Sequence, residues 1–215
     1  MTTLDFMERP SDGPATGALF LHHGRGSWEG DLLPLADLFD PQRRLHVIAP
    51  RAPLQIGDAQ GFHWYTVPRV GYPDPKTFHA ARQALADFHD DQLERIAVSA
   101  DRAVLGGFSM GAVMSFTLGL SADRPAPAGI LAMSGFIPVL DDNSWQPDFE
   151  SRPDLPVFLA HGRLDPVIDF GFAEIAKSKL EQAGLPTEFF PFDGGHEVGM
   201  AEIAPIADWL TRTIA

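Results

Sequence analysis

The sequence predicts an α/β protein with a mostly parallel sheet covered by helices on both faces. Three observations carry that prediction. Short β-rich runs alternate with longer stretches of helical period along the chain. The β-rich runs are apolar from end to end, as in strands buried on both faces, instead of alternating apolar and polar. One such run leads through Gly107-Phe108-Ser109-Met110-Gly111 into a helix-like stretch, a strand, G-x-S-x-G, helix order.

Residues 18–22 form the first apolar run, and it empties into His23-Gly24-Arg25-Gly26, a loop. Residues 31–39 place Leu32, Leu33, Leu35, Leu38 and Phe39 at helical spacing. The second strand, 45–49, is stopped by Pro50 and Pro53. Residues 55–75 are rich in glycine, proline and aromatics without a period, and read as a long surface loop. Residues 76–100 carry an amphipathic helix with a break near Asp90-Asp91. The strand over 102–106 follows, then a helix over 110–120 and strands over 129–133 and 157–160. A helix over 170–183 is ended by Gly184 and Pro186, and a last strand (188–192) and last helix (197–214) complete the chain. With no repeat, linker or room for a large cap, residues 1–215 read as one domain.

Composition narrows the function classes. The net charge of −13 argues against nucleic acid and anionic membrane surfaces, both of which attract basic patches. The absence of cysteine removes disulfides, cysteine-based metal sites and a cysteine nucleophile, and fits a reducing cytoplasm. The first ten residues lack the basic and apolar regions of a signal peptide, and no apolar stretch approaches the ~20 residues that span a bilayer. His22 and His23 lack the spacing of a metal pair and are expected to shape the loop they open. The expectation is a cytoplasmic protein without metal or cofactor.

In a parallel sheet the reactive groups gather at the C-terminal ends of the strands. Ser109 follows one strand, His161-Gly162-Arg163-Leu164-Asp165-Pro166 another, and Asp193-Gly194-Gly195-His196 the last. A serine hydroxyl is a weak nucleophile unless a base stands beside it and a carboxylate stands behind the base. For the carboxylate, Asp165 has rivals. Asp169 lies at a helix start, where an acid caps free N–H groups, and Asp193 is close to His196 in the chain.

These motifs, with Asp31-Leu32-Leu33-Pro34-Leu35-Ala36 and Ala49-Pro50-Arg51-Ala52-Pro53, resemble the α/β-hydrolase superfamily, and more narrowly its phospholipase/carboxylesterase family, to which acyl-protein thioesterases belong. The resemblance covers nearly the whole chain. It implies an α/β-hydrolase fold, a small-molecule ester as substrate, and Ser109 as nucleophile, Asp165 as orienting acid and His196 as base. It also implies an oxyanion hole from the backbone N–H groups of Arg25 and Met110. Small to medium acyl esters are expected, with thioesters, lysophospholipids or a non-catalytic binding role as alternatives.

Two departures bear on substrate. Acyl-protein thioesterases commonly carry glutamine after the nucleophile and a small apolar residue at the loop position; this chain has Met110 and Arg25. The Arg25 side chain either binds a carboxylate or phosphate of the substrate, or faces solvent or a surface acid. Phe62, Trp64 and Tyr65 either line an acyl pocket or pack the long loop over the sheet edge. Exposed apolar residues on that loop would serve a homodimer or a substrate equally.

Overall fold

A computed structural model describes residues 4–57 and 61–214. Residues 1–3, 58–60 and 215, and with them parts of the N-terminal segment and of the 55–75 loop, lie outside the described residues. The strands are β1 (Phe6–Arg9), β2 (Gly17–His22), β3 (Leu45–Pro50), β4 (Leu54–Gln55), β5 (Phe62–His63), β6 (Ala103–Phe108), β7 (Gly129–Met133), β8 (Val157–Gly162) and β9 (Thr187–Phe192). Seven of them form one sheet in the order β1-β3-β2-β6-β7-β8-β9; β4 and β5 form a separate hairpin. Only β1 is antiparallel to its neighbour in the large sheet.

The apolar runs read as they do because both faces are covered. Leu19 and Phe20, adjacent in β2, belong to the two different cores. Phe20 belongs to the core that includes residues of α2 (Pro75–Ile96), α3 (Met110–Gly119) and α4 (Gly171–Gln182), while Leu19 belongs to the core that includes residues of α1 (Ala36–Phe39) and α5 (Met200–Thr213). After β2 the chain moves outward to β3 and then crosses back to β6 on the other side of β2. The loops leaving β2 and β6 therefore diverge, and that switch point is where a parallel sheet leaves a crevice.

Several expectations needed correction. β1 was missed because Phe6-Met7-Glu8-Arg9 is a half-exposed edge strand with a mixed pattern instead of an apolar run. Residues 31–39 hold only a 3-10 turn (Leu33–Leu35) and the four residues of α1, since Pro34 lacks the N–H that a longer helix would need. The long loop contains the β4–β5 hairpin. Helix α2 runs unbroken through Asp90 and Asp91, both exposed on its outer side, with Asp90 paired to Arg124. It starts on the Asp74 carboxylate, which accepts the Thr77 N–H at 2.9 Å, and ends at left-handed Ala97. Helix α5 starts at Met200, so Glu197 stays in the loop that carries His196. No helix of the described residues is long and apolar enough to cross a membrane.

Candidate active site

Ser109 sits between β6 and α3 with φ 55° and ψ −119°, a conformation a side-chain-bearing residue avoids. Packing holds it there. Its N–H donates to Met133 O on the neighbouring strand at 2.8 Å. A Cβ on Gly107 would lie 2.4 Å from the Gly111 carbonyl carbon, and one on Gly111 would lie 1.9 Å from His22 O. Only glycine at both positions lets α3 start this close to β2 and β6.

Beneath the turn runs a buried polar chain. Ser115 Oγ donates to Gly111 O (3.0 Å) and so accepts from His22 Nδ1–H (2.8 Å). His22 Nε2 then accepts from His89 Nε2–H at 3.0 Å. These tautomers follow from the bonding pattern. Both histidines are neutral: burial, then His23, push His22 down to about 3, and burial, then His22, put His89 well below its ordinary value.

Asp165 and His196 arrive from the ends of β8 and β9. A Cβ on Gly162 would lie 2.2 Å from Gly195 O, so this glycine is what lets the two loops touch. His196 Nδ1 is 2.7 Å from Asp165 Oδ2, and His196 Nε2 is 2.9 Å from Ser109 Oγ. The other carboxylate oxygen of Asp165 accepts the N–H groups of Val167 (2.8 Å) and Ile168 (2.9 Å). Burial raises the Asp165 pKa, but the Ile168 N–H, His196 and the Val167 N–H outweigh it and hold the group below its ordinary value. Asp165 is thus an anion placed behind an imidazole. Of its rivals, Asp169 caps the Gly171 N–H at 2.9 Å and exposed Asp193 faces Arg163 at 3.6 Å.

The loop after β2 comes up beside Ser109. Met110 is the first residue of α3, so its N–H has no acceptor within the helix. The Arg25 N–H makes no hydrogen bond among the described residues, while its neighbours pair with the hairpin: Gly26 N–H to Phe62 O and Phe62 N–H to Ser27 O, both 2.8 Å. His23 pins the loop from below, its Nδ1–H donating to Gly24 O (2.8 Å) and its Nε2 accepting the Ala52 N–H (3.0 Å). His22 and His23 therefore serve different structural networks.

Trp64 is fully buried, and its indole N–H donates to His23 O at 2.9 Å. It braces the loop and does not line the cavity, contrary to one of the two expectations for it. Tyr65, also buried, does line the cavity, a space of ≈ 260 Å³ that opens over Ser109 and Met110. Its walls are mostly apolar, with Val67, Val70, Phe136, Val167 and Ile168 among them, and Arg25 and Arg69 are its two cations.

Sequence reading singled out Ser109, Asp165 and His196, which the structure brings into one hydrogen-bonded series. It missed His161, whose Nε2–H donates to Ile168 O at 2.9 Å and faces Asp165 Oδ2 at 3.3 Å, steadying the acid's turn. Its place at the head of the H-G-x-x-D-P segment was the available signal. It also missed Glu202, wholly buried in the first turn of α5, whose Oε1 accepts the Gly199 N–H at 2.5 Å while Oε2 has no partner among the described residues. Burial pushes its pKa up to about 7.

The series has the order that proton transfer from a hydroxyl requires: His196 Nε2 faces Ser109 Oγ, and the Asp165 carboxylate stands behind Nδ1. Comparison with known proteins agrees with the fold and the motifs. The phospholipase/carboxylesterase family model matches residues 6–214. An acyl-protein thioesterase 1 of Debaryomyces hansenii is 26% identical over 92% of this chain and 91% of its own. The crystal structure of esterase PE8 superposes with a TM-score of 0.82 at 25% identity, covering 99% of this chain and 100% of that one. The carboxylesterase of Bacillus cereus has the same fold, with a TM-score of 0.82 at 22% identity over 98% of this chain and 94% of its own. The chain belongs to the phospholipase/carboxylesterase family of α/β-hydrolases and is a hydrolase of the esterase or thioesterase kind.

Proposed function

We propose that the protein is a serine carboxylic-ester hydrolase acting on small to medium acyl esters through an acyl-enzyme. The observation that carries this reading is the unbroken series Ser109 Oγ, His196 Nε2, His196 Nδ1 and Asp165 Oδ2, whose Ser109 end lines the cavity, with both contacts under 3 Å. Ser109 Oγ attacks the acyl carbonyl while His196 Nε2 takes its proton, and Asp165 stabilises the imidazolium. The N–H groups of Arg25 and Met110 receive the negative charge that develops on the carbonyl oxygen. His196 then protonates the departing alcohol. It next takes a proton from a water that attacks the acyl carbon, releasing the acid and restoring the serine. The size and apolar walls of the cavity support an acyl group of modest length.

A thioesterase reading uses the same groups and differs only in the leaving group. The curated relatives named acyl-protein thioesterase 1 are what support it.

The test is hydrolysis of 4-nitrophenyl esters from acetate to decanoate by wild type and Ser109→Ala, with acyl-CoA thioesters alongside and a fluorophosphonate label on both proteins. The expected result is an optimum among the shorter esters, and turnover and labelling both lost in the variant. A preference for the thioesters moves the assignment to the second reading. An inert, unlabelled wild type ends both.

A further inference from the structure

Among the described residues, Arg25 is the one arginine without an acidic or carbonyl partner. The chain holds 29 acidic against 16 basic residues, so carboxylates for pairing are abundant. Every other arginine among the described residues ties its guanidinium to a carboxylate or a main-chain carbonyl. Among the described residues the Arg25 guanidinium does neither, although a surface acid was one of the expectations for it. Its electrostatic neighbour among the described residues is a base, His63, whose pKa is lowered by burial and then by Arg25.

Its position is equally specific. Arg25 lines the cavity that contains Ser109, and among the described residues no Asp or Glu does. The second cation there, Arg69, has its guanidinium 3.5 Å from the centre of the Tyr72 ring. Stacking of this kind orients a guanidinium and leaves its N–H edge available to an anion. Its one acidic contact, Asp141 at 3.9 Å, is between two largely exposed groups and weak. Two arginines facing a small, otherwise apolar space beside a reactive hydroxyl form an anion site within reach of the scissile bond. The planar fork of a guanidinium matches a carboxylate.

We infer that the ester hydrolysed here carries a carboxylate of its own, held by Arg25 with Arg69 beside it. This rests on the serine-hydrolase reading above and adds the substrate class to it.

The test compares matched pairs. On the acyl side, the mono-4-nitrophenyl ester of adipic acid is set against the 4-nitrophenyl ester of hexanoic acid. On the leaving-group side, the acetate ester of 4-hydroxybenzoate is set against that of 4-hydroxybenzamide. The readout is the ratio of kcat/KM within each pair, so any change in the common chemistry cancels. The wild type should favour the charged member of at least one pair, and that pair locates the carboxylate. Arg25→Gln should cut the ratio by about 10- to 100-fold, the range of a hydrogen bond to a charged group. Arg25→Lys should restore part of it, and added salt should lower the wild-type ratio.

Charged esters turned over no faster than neutral ones, or a preference that survives Arg25→Gln, would overturn the inference. The hydrolase reading would still stand on the neutral esters and on Ser109→Ala. If no ester is hydrolysed and the phosphonate does not label, both readings fall together.

Discussion

The two sides of the Ser109–His196 hydrogen bond are held by different physics. On the serine side the restraints are steric: a strained residue stands between glycines whose Cβ atoms would overlap main chain, over a helix buried throughout its length. On the histidine side the restraints are polar. Asp165 is positioned by two main-chain N–H groups, by His196 and by His161, and the His196 loop rests on Glu202 through the Gly199 N–H. Steric restraints resist pH and yield only to substitution. Polar restraints depend on the charge state of the groups that make them. Ser109 is therefore held mainly by packing, whereas Asp165 and His196 are held mainly by polar and charged groups.

The largest expected effect tests the polar side. Asp165→Asn keeps an oxygen for the Val167 and Ile168 N–H groups but removes the charge behind the imidazole. We expect kcat to fall by about 10⁴-fold with a nearly unchanged melting temperature. A comparable loss of stability would mean that Asp165 holds the loop more than it tunes the base.

Gly111→Ala tests the steric side. Its Cβ would lie 1.9 Å from His22 O, a main-chain atom that no rotamer can move. The expected cost exceeds about 4 kcal/mol, read by denaturant melts, with phosphonate labelling lost in whatever fraction still folds. A stable, reactive variant would refute the account of the turn as sterically determined.

Glu202 sharpens the comparison through pH. Its folded pKa of about 7 lies above the ordinary 4.5. Between those values the folded chain keeps a proton that the unfolded chain has released, so stability is full below pH 4.5 and falls as pH rises towards 7. Glu202→Gln retains the acceptor for Gly199 and removes the charge. It should match wild type near pH 4.5 and exceed it by up to about 3 kcal/mol above pH 7. A difference that does not vary with pH would show that the group stays ionised when folded.

The smallest effect is expected at the cavity wall. Val167 lines the cavity and is largely exposed, so Val167→Ala should leave stability within about 0.5 kcal/mol. It should shift the preferred acyl length in the 4-nitrophenyl series; an unaltered length profile would remove Val167 from the acyl site.

How much of this was legible in the chain follows the same division. Strands β2, β3, β6, β7 and β8 were readable because burial on both faces demands continuous apolar runs, and the half-buried edge strand β9 was readable from its run of phenylalanines. β1 was not, because a half-exposed edge strand needs no such run, and neither were the two-residue strands β4 and β5. That Ser109, Asp165 and His196 would meet was readable because each stands in a local setting with its own requirement: a glycine-flanked turn, and loops directly after strands. Trp64 and Tyr65 mark the limit. They are adjacent, aromatic and equally buried, yet one braces the loop under Arg25 while the other lines the cavity.

By itself the sequence determined the layered parallel sheet, the chain order of Ser109, Asp165 and His196 and the absence of a cysteine nucleophile. These follow from residue type and local spacing. Tertiary structure alone decided that Gly162 lets two loops meet and that Glu202 is buried beneath the histidine loop. It also decided that Arg25 and Arg69, far apart in the chain, line one cavity with no acid among its described lining residues. Those facts depend on which segments approach one another, a matter of long-range packing that no local pattern encodes.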